Sequence, residues 1–219
     1  MKSVLTKDGS ITFFNEEVGD HYHSLSGAFD EALKKHVLPS DFISREGPVH
    51  ILDACFGLGY NTVVAISLWQ DFQKPFPLKI TAIDIDRQVA LAGLETITSP
   101  ACMYAKEFCQ ELVMHPGVKH TAPSLSGVFF HDSLQDRLAL LPANSFDIVF
   151  FDPFAPQKQP EMWSLDMCKE VFRVMSSGSV LTTYSCARMV RDNLKAAGFE
   201  VRDGPCVGRR SPSTVAHKH

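Results

Sequence analysis

Short apolar runs alternate along the chain with stretches in which apolar residues recur at helical spacing. Seven runs have the length and composition of strands: residues 49–53, 78–84, 128–131, 146–151, 179–184, 198–201 and 213–217. Helical periodicity predicts helices over 61–71, 87–96, 100–113, 133–140, 162–175 and 187–197, with a loop over 116–126. Strands that alternate with helices indicate a mostly parallel sheet covered on both faces, so we predict a doubly wound, Rossmann-like α/β fold.

A shorter segment precedes this pattern. Two alternating runs, 3–6 and 11–14, flank the Asp8-Gly9 turn and predict a hairpin. Apolar periodicity predicts a helix over 27–37 that Pro39 ends. We therefore expect an N-terminal hairpin-and-helix extension over residues 1–45 and a main domain over 46–219.

Length and composition restrict the class of protein. The 219 residues, 45% of them hydrophobic, suffice for one large domain. No apolar run has the length of a membrane span and the N-terminus has no signal-peptide core, which predicts a cytoplasmic protein with no membrane partner. Six cysteines without a Cys-x-x-Cys pair and nine histidines without metal-ligand spacing indicate reduced thiols and no metal.

Four of the predicted parallel strands end in an aspartate: Asp53, Asp84, Asp132 and Asp152. Open α/β sheets bind ligands at the carboxyl ends of their strands. An aspartate after a strand is also a common helix N-cap. Acids on successive strand ends favour a binding site over a set of unrelated caps.

The turn after the first strand reads Asp-Ala-Cys-Phe-Gly-Leu-Gly. Cys55 replaces the first glycine of a dinucleotide fingerprint, which disfavours a dinucleotide oxidoreductase. The turn fits the looser pattern of S-adenosylmethionine enzymes, whose ligand places a carboxylate and an amine there. Candidate donor-binding residues of this turn are Asp53, Phe56, Gly57, Gly59 and Asn61.

Two further strand ends supply candidates for the rest of the donor. Asp84, followed by Ile85, can accept hydrogen bonds from both ribose hydroxyls. Asp132, followed by Ser133 at a helix start, can accept a hydrogen bond from the exocyclic amine of adenine. Together with the glycine turn they predict a complete donor site.

The most specific segment is Asp152-Pro153-Phe154-Ala155-Pro156. It resembles the Asp-Pro-Pro-aromatic loop of amino-group methyltransferases. A primary alkylamine is mostly ammonium at neutral pH and has no lone pair for attack on a methyl group. A carboxylate at Asp152 can bind that ammonium, take its proton and orient the nitrogen.

Several segments together resemble one family, the methyltransferase domain of the bifunctional tRNA-modifying MnmC proteins and its stand-alone relatives. The residues that carry the resemblance lie at 56–61, 152–163, 183–185, 190–199 and 208–210, and the likeness extends from about residue 7 to residue 216. The run from Asp152 to Trp163 is long and specific. Pro153 departs from the glycine that the bifunctional proteins usually have.

The resemblance implies methyl transfer to the amine of 5-aminomethyl-(2-thio)uridine at the tRNA wobble position. It implies that Asp152 is the base, that Asp84 and Asp132 bind the donor's ribose and adenine, and that Tyr22 and Glu31 form a pair near the donor. The chain stops where the family's oxidase domain starts, so no FAD is expected and the aminomethyl group would come from elsewhere.

Charge is distributed unevenly along the chain. The protein carries −4, but residues 186–219 carry +4, a possible footprint for a polyanion or simply a solvated surface. Candidate tRNA contacts are Phe154, Lys158, Arg188, Arg209 and Arg210.

Two alternatives stay open at this point. One is a methyltransferase or aminopropyltransferase acting on a small-molecule amine. Such an enzyme would need no positively charged surface over residues 186–219. The other is a catalytically inactive RNA-binding module, against which the retained strand-end acids argue. The sequence indicates no particular oligomeric state.

Overall fold

A computed structural model describes residues 2–208 and 210–219. The chain begins with a small antiparallel sheet of β1 (Lys2–Leu5), β2 (Ile11–Asn15) and β3 (Asp20–His21). The predicted hairpin is confirmed, with Leu5 opposite Ile11, while the third strand was not predicted.

The predicted first helix is present but irregular. Helix α1 (Ala28–Glu31) continues into a π-helical turn (Ala32–Val37), and 3-10 turns follow at Leu38–Ser40 and Phe42–Ser44. Pro39 lies within the first 3-10 turn, so helical winding runs slightly past the predicted end. π-Helical turns are rare and are frequent at functional sites.

The main sheet has eight strands in the order β10-β11-β9-β8-β4-β5-β7-β6. Its strands are β4 (Val49–Asp53), β5 (Leu78–Asp84), β6 (His120–Ala122), β7 (Leu125–His131), β8 (Phe146–Phe150), β9 (Met175–Thr183), β10 (Glu200–Asp203) and β11 (Thr214–Lys218). The five central strands are parallel, and β6, β10 and β11 are antiparallel to their neighbours. The predicted mostly parallel sheet is confirmed.

Helices cover both faces because successive strand residues point to opposite sides. Ile51 and Ile148 face one apolar cluster, while Leu52 and Val149 face the other. The helices are α2 (Tyr60–Asp71), α3 (Arg87–Thr96), α4 (Met103–Met114), α5 (Leu134–Leu140), α6 (Leu165–Val174) and α7 (Arg188–Ala197). The first three pack on one face and the last three on the other.

The main error of the prediction concerns the loop over 116–126. Residues 120–122 form β6, which pairs antiparallel with the start of β7 through Ser124, a non-glycine residue at φ 58°. The segment is polar and partly exposed, as edge strands often are, so it lacks the apolar run that predicts a strand.

Several residues of the N-terminal segment belong to the main core. Phe13, Ala28 and Val37 belong to the same buried cluster as Ile148 and Phe150 of the central sheet. This packing brings the N-terminal segment against the carboxyl end of the sheet. No helix in the described part of the chain is long and apolar enough to cross a membrane.

Candidate functional site

A cavity of about 740 Å³ opens at the carboxyl ends of β4, β5, β7 and β8. This volume lies in the range of small-molecule sites. It adjoins the point where the sheet order reverses between β4 and β8, the expected place for a ligand in such folds. The predicted residues that line it are Tyr22, Glu31, Gly57, Asp84, Ile85, Asp132, Ser133, Asp152 and Phe154.

The glycine turn forms one wall. Gly57 has φ 53° and Gly59 has φ 84°, both in the left-handed region that favours glycine. A Cβ on Gly59 would lie 2.8 Å from Phe56 Cζ and 2.9 Å from Leu94 Cδ2. Gly59 is therefore required for helix packing, whereas Gly57 faces the cavity.

Asp84 is tied to that turn. Its Oδ2 accepts a hydrogen bond from the Gly57 amide at 2.7 Å, and its Oδ1 accepts one from the Asp86 amide at 2.8 Å. Burial raises the pKa of Asp84 above its ordinary value, against the lowering effect of these two bonds. The cap of α3 is Asp86, so the N-cap alternative for Asp84 is wrong. Ile85 beside it is 73% exposed and offers the cavity an apolar surface.

Asp132 is held by a neighbouring arginine. Arg137 Nε donates to Asp132 Oδ2 at 2.9 Å, and the second contact, from Arg137 Nη2, converges on the same oxygen. Ser133 is the N-cap of α5 and accepts from the Asp136 amide. The N-cap alternative is therefore wrong for Asp132 as well, and its carboxylate lies on the cavity wall.

Four predicted donor-binding residues lie behind the wall. Asp53, Phe56, Gly59 and Asn61 are buried and do not line the cavity. Asp53 is fully buried and accepts a hydrogen bond from Thr62 Oγ1 at 2.7 Å. Burial raises its pKa to about 7. Asp53, Phe56 and Asn61 turn their side chains into the core instead of the cavity, and the role of the four residues in donor binding stays a prediction.

Asp152 lies at the inner end of the cavity. Asn61 Nδ2 donates to its Oδ2 at 3.1 Å, and His36 Nε2 lies 3.5 Å from the same oxygen. Burial raises the pKa of Asp152, but His36, His23 and Asn61 outweigh that effect and hold it at about 2. Asp152 is therefore a carboxylate at neutral pH.

The loop after Asp152 is shaped by two side chains. Trp163 Nε1 donates to the carbonyl oxygen of Phe154 at 2.8 Å, and Gln159 Oε1 accepts from the Phe154 amide. Trp163 is fully buried, as expected of a core residue. The Phe154 ring lies 4.9 Å from the Tyr22 ring, so the N-terminal segment meets the loop after β8 at the cavity.

Part of the N-terminal wall was not predicted from the sequence. Glu31 Oε2 accepts from the Ser24 amide at 2.8 Å, and Glu31 Oε1 pairs with Lys35 Nζ. Lys35 and His23 line the cavity beside the predicted Glu31, and His36 lies behind Asp152. Lys35 and His36 share one signal in the sequence, since both are titratable residues inside the predicted helix over 27–37, whereas His23 precedes that helix.

The predicted tRNA contacts are placed unevenly. Arg188 is exposed at the start of α7 and lies 3.6 Å from Asp192, and Arg210 is exposed two residues after Gly208, which lines the cavity. Lys158 is exposed, with its Nζ close to Gly19 in the turn before β3. Arg209 lies outside the described residues.

The cavity walls are acidic. Among its described lining residues one, Lys35, is a lysine and eight carry carboxylates, namely Glu17, Asp20, Glu31, Asp84, Asp86, Asp132, Asp152 and Glu161. Lys35 is already paired with Glu31. This excess of negative charge favours cationic ligands.

This chain is similar to known proteins in both sequence and structure. A family model described as S-adenosyl-L-methionine-dependent methyltransferase matches residues 102–219. The tRNA 5-methylaminomethyl-2-thiouridine biosynthesis bifunctional protein MnmC of Methylibium petroleiphilum is 32% identical over 236 residues, covering 99% of this chain and 35% of that protein. The crystal structure of MNMC2 from Aquifex aeolicus matches with a TM-score of 0.87 and 29% identity, covering 99% of this chain and 70% of that one.

An uncharacterized protein of Methanocaldococcus jannaschii is 26% identical over 218 residues. That match covers 99% of this chain and 59% of the archaeal protein. The chain thus spans about a third of the length of the MnmC relatives and about three fifths of the archaeal one.

Proposed function

Because this chain belongs to the S-adenosyl-L-methionine-dependent methyltransferase family, we propose that it methylates the amine of 5-aminomethyl-(2-thio)uridine at the wobble position of tRNA. The product is 5-methylaminomethyl-(2-thio)uridine. The observation that carries the proposal is an ionised aspartate, Asp152, at the inner end of an acidic cavity on the strand ends.

The residues of the cavity fit the donor. Each oxygen of the Asp84 carboxylate accepts a hydrogen bond from one backbone amide. This leaves lone pairs for hydrogen bonds from two ribose hydroxyls. Asp132 and the exposed side chain of Ile85 suit the polar edge and the flat face of adenine. The backbone at Gly57 admits close approach of the amino-acid part. When bound, the donor supplies an electrophilic methyl group on a positively charged sulfur.

Asp152 supplies what an amine acceptor needs. Its carboxylate binds the ammonium form and takes one proton from it. The carboxylate then accepts a hydrogen bond from the neutral nitrogen and directs its lone pair along the line of attack. With a pKa of about 2 it does not retain a proton at neutral pH, so it passes the proton on toward solvent. Asn61 holds the reacting oxygen in place from behind.

The tRNA assignment is supported by the relatives and by the rim of the cavity. A wobble base must be turned out of its loop to reach a buried methyl group, and aromatic side chains stack such bases. Tyr22 and Phe154 form an aromatic pair on the cavity wall. Arg188, Arg210 and Lys158 are exposed cations available to phosphates.

The test is incubation of the protein with isotopically labelled donor and tRNA from cells that lack this gene, followed by nucleoside mass spectrometry. We expect label in 5-methylaminomethyl-(2-thio)uridine. A parallel incubation with free alkylamines, including diamines, covers the small-molecule alternative. Labelled amine with unlabelled tRNA would overturn the assignment.

A further inference from the structure

A buried histidine contacts Asp152 from the N-terminal segment. His36 lies in the π-helical turn and is fully buried, with its Nε2 3.5 Å from Asp152 Oδ2. Its Nδ1 lies 3.3 Å from Thr182 Oγ1 on β9, and its ring meets Phe150 edge-on. Two strands and the π-helical turn therefore fix the imidazole behind the reacting carboxylate.

The surroundings of His36 favour its protonated form. Burial lowers the pKa of His36, but the carboxylates of Asp152, Glu31 and Asp53 outweigh this and raise it above the ordinary value. Two further titratable groups lie in this region, Lys35, which pairs with Glu31, and His23, whose pKa burial lowers. Protonation of His36 thus places a positive charge 3.5 Å from the Asp152 carboxylate oxygen.

A lone buried carboxylate would oppose amine methylation. It would stabilise the ammonium form of a substrate bound beside it, and that form has no lone pair. A positive charge paired with the carboxylate cancels its preference for the ammonium form of the substrate. The carboxylate can then still accept a hydrogen bond from a neutral amine.

We propose that His36 is a positioning residue whose imidazolium neutralises Asp152, so that the substrate amine bound there reacts as the free base. The ammonium substrate releases one proton to solvent, and its nitrogen lone pair forms the new N–C bond. The S–C bond breaks with its electron pair left on sulfur, and the product leaves as a secondary ammonium ion. This inference rests on the proposed amine methylation.

The first test is the pH dependence of single-turnover methyl transfer to tRNA bearing the aminomethyl group. His36→Gln keeps a hydrogen-bond donor toward Asp152 but removes the charge. We expect the midpoint of the rate–pH curve to move to higher pH by about one unit or more, the usual effect of a charge at this range. The rate should recover at high pH.

The matched control is His50→Asn. His50 is half-buried in the same sheet, where it bonds Ser145 and Thr81, and does not line the cavity. It reports any general loss of stability and should keep the wild-type midpoint. A His36→Gln protein that is uniformly slower with an unchanged midpoint would overturn the role assigned to His36.

A second readout needs neither donor nor tRNA. Nuclear magnetic resonance titration of the His36 ring in the free protein should show an imidazolium that persists above pH 6.5, the ordinary histidine value. Asp152→Asn should lower that midpoint. A neutral His36 ring at pH 6 would overturn the ion pair. Absence of methyl transfer by the wild-type protein at every pH would instead overturn the proposed function and, with it, this role.

Discussion

Asn61 Nδ2 donates a hydrogen bond to Asp152 Oδ2 over 3.1 Å. The bond joins the first turn of α2, directly after the glycine turn, to the loop after β8. It couples the turn that we propose to bind the donor to the loop that we propose to meet the acceptor. Asn61 is 3% exposed, so it acts on the chemistry through Asp152.

Replacing Asn61 by alanine should slow methyl transfer by about tenfold. The loss of one hydrogen bond to a charged group costs about 1.5 kcal/mol or more, and the carboxylate would lose its orientation. Single-turnover rates at saturating donor measure the effect. Donor affinity should not change, and Asn144→Ala on the surface is the control. An unchanged rate would remove Asn61 from the site.

Donor binding should depend on Asp84. Asp84→Ala leaves the ribose hydroxyls without an acceptor and frees the Gly57 amide, which should weaken binding by about 1–3 kcal/mol. Calorimetry with S-adenosylmethionine checks the value. Asp147→Ala, on β8 but away from the cavity, controls for the loss of a sheet carboxylate. Equal affinity in wild type and Asp84→Ala is the contradicting outcome.

Asp53 should make the protein less stable as pH rises. Its folded pKa of about 7 lies above the unfolded value of about 3.9, so the protonated form is favoured by folding. The stability it contributes is complete below pH 4 and is lost as pH rises to 7. Asp53→Asn keeps the shape without the charge.

The measurement is the free energy of unfolding by urea at pH 5 and pH 8. From pH 5 to pH 8, the free energy of unfolding of Asp53→Asn should rise relative to that of wild type by an amount on the order of a few kcal/mol. Parallel pH curves for the two proteins would show that burial does not act on Asp53 as described.

Charge reversal of the exposed arginines Arg188 and Arg210 should change tRNA binding alone. Arg188→Glu combined with Arg210→Glu should raise the Michaelis constant for tRNA and flatten its dependence on salt, because each lost phosphate contact lowers the salt slope. Lys79→Glu, an exposed cation on β5 outside the cavity, is the matched control. Identical salt slopes in both variants would place the tRNA elsewhere.

Local patterns predicted the central sheet well. The bounds of β4 and β5 match the predicted strands residue for residue, because each is a mostly apolar run that ends at an aspartate. Since parallel strands share one edge, Asp84, Asp132 and Asp152 could be assigned to one cavity before any coordinates.

Long-range packing determines the positions of residues that local sequence patterns could not predict. His36 and Lys35 are in a helix whose own sequence does not show that it lies against the carboxyl end of β8. Arg191 belongs to the positively charged stretch 186–219, but it donates to Thr214 Oγ1 and pairs with Asp203. These partners of His36 and Arg191 are 12 to 146 residues away in the chain.

The most direct test of the account is single-turnover methyl transfer by Asp152→Asn with aminomethyl-bearing tRNA at neutral pH. Asparagine keeps the size of the side chain but cannot take up the proton or carry the charge. The rate should fall by about 100-fold or more while donor affinity stays the same. Near-normal turnover by this variant would contradict the central claim that Asp152 acts on the amine.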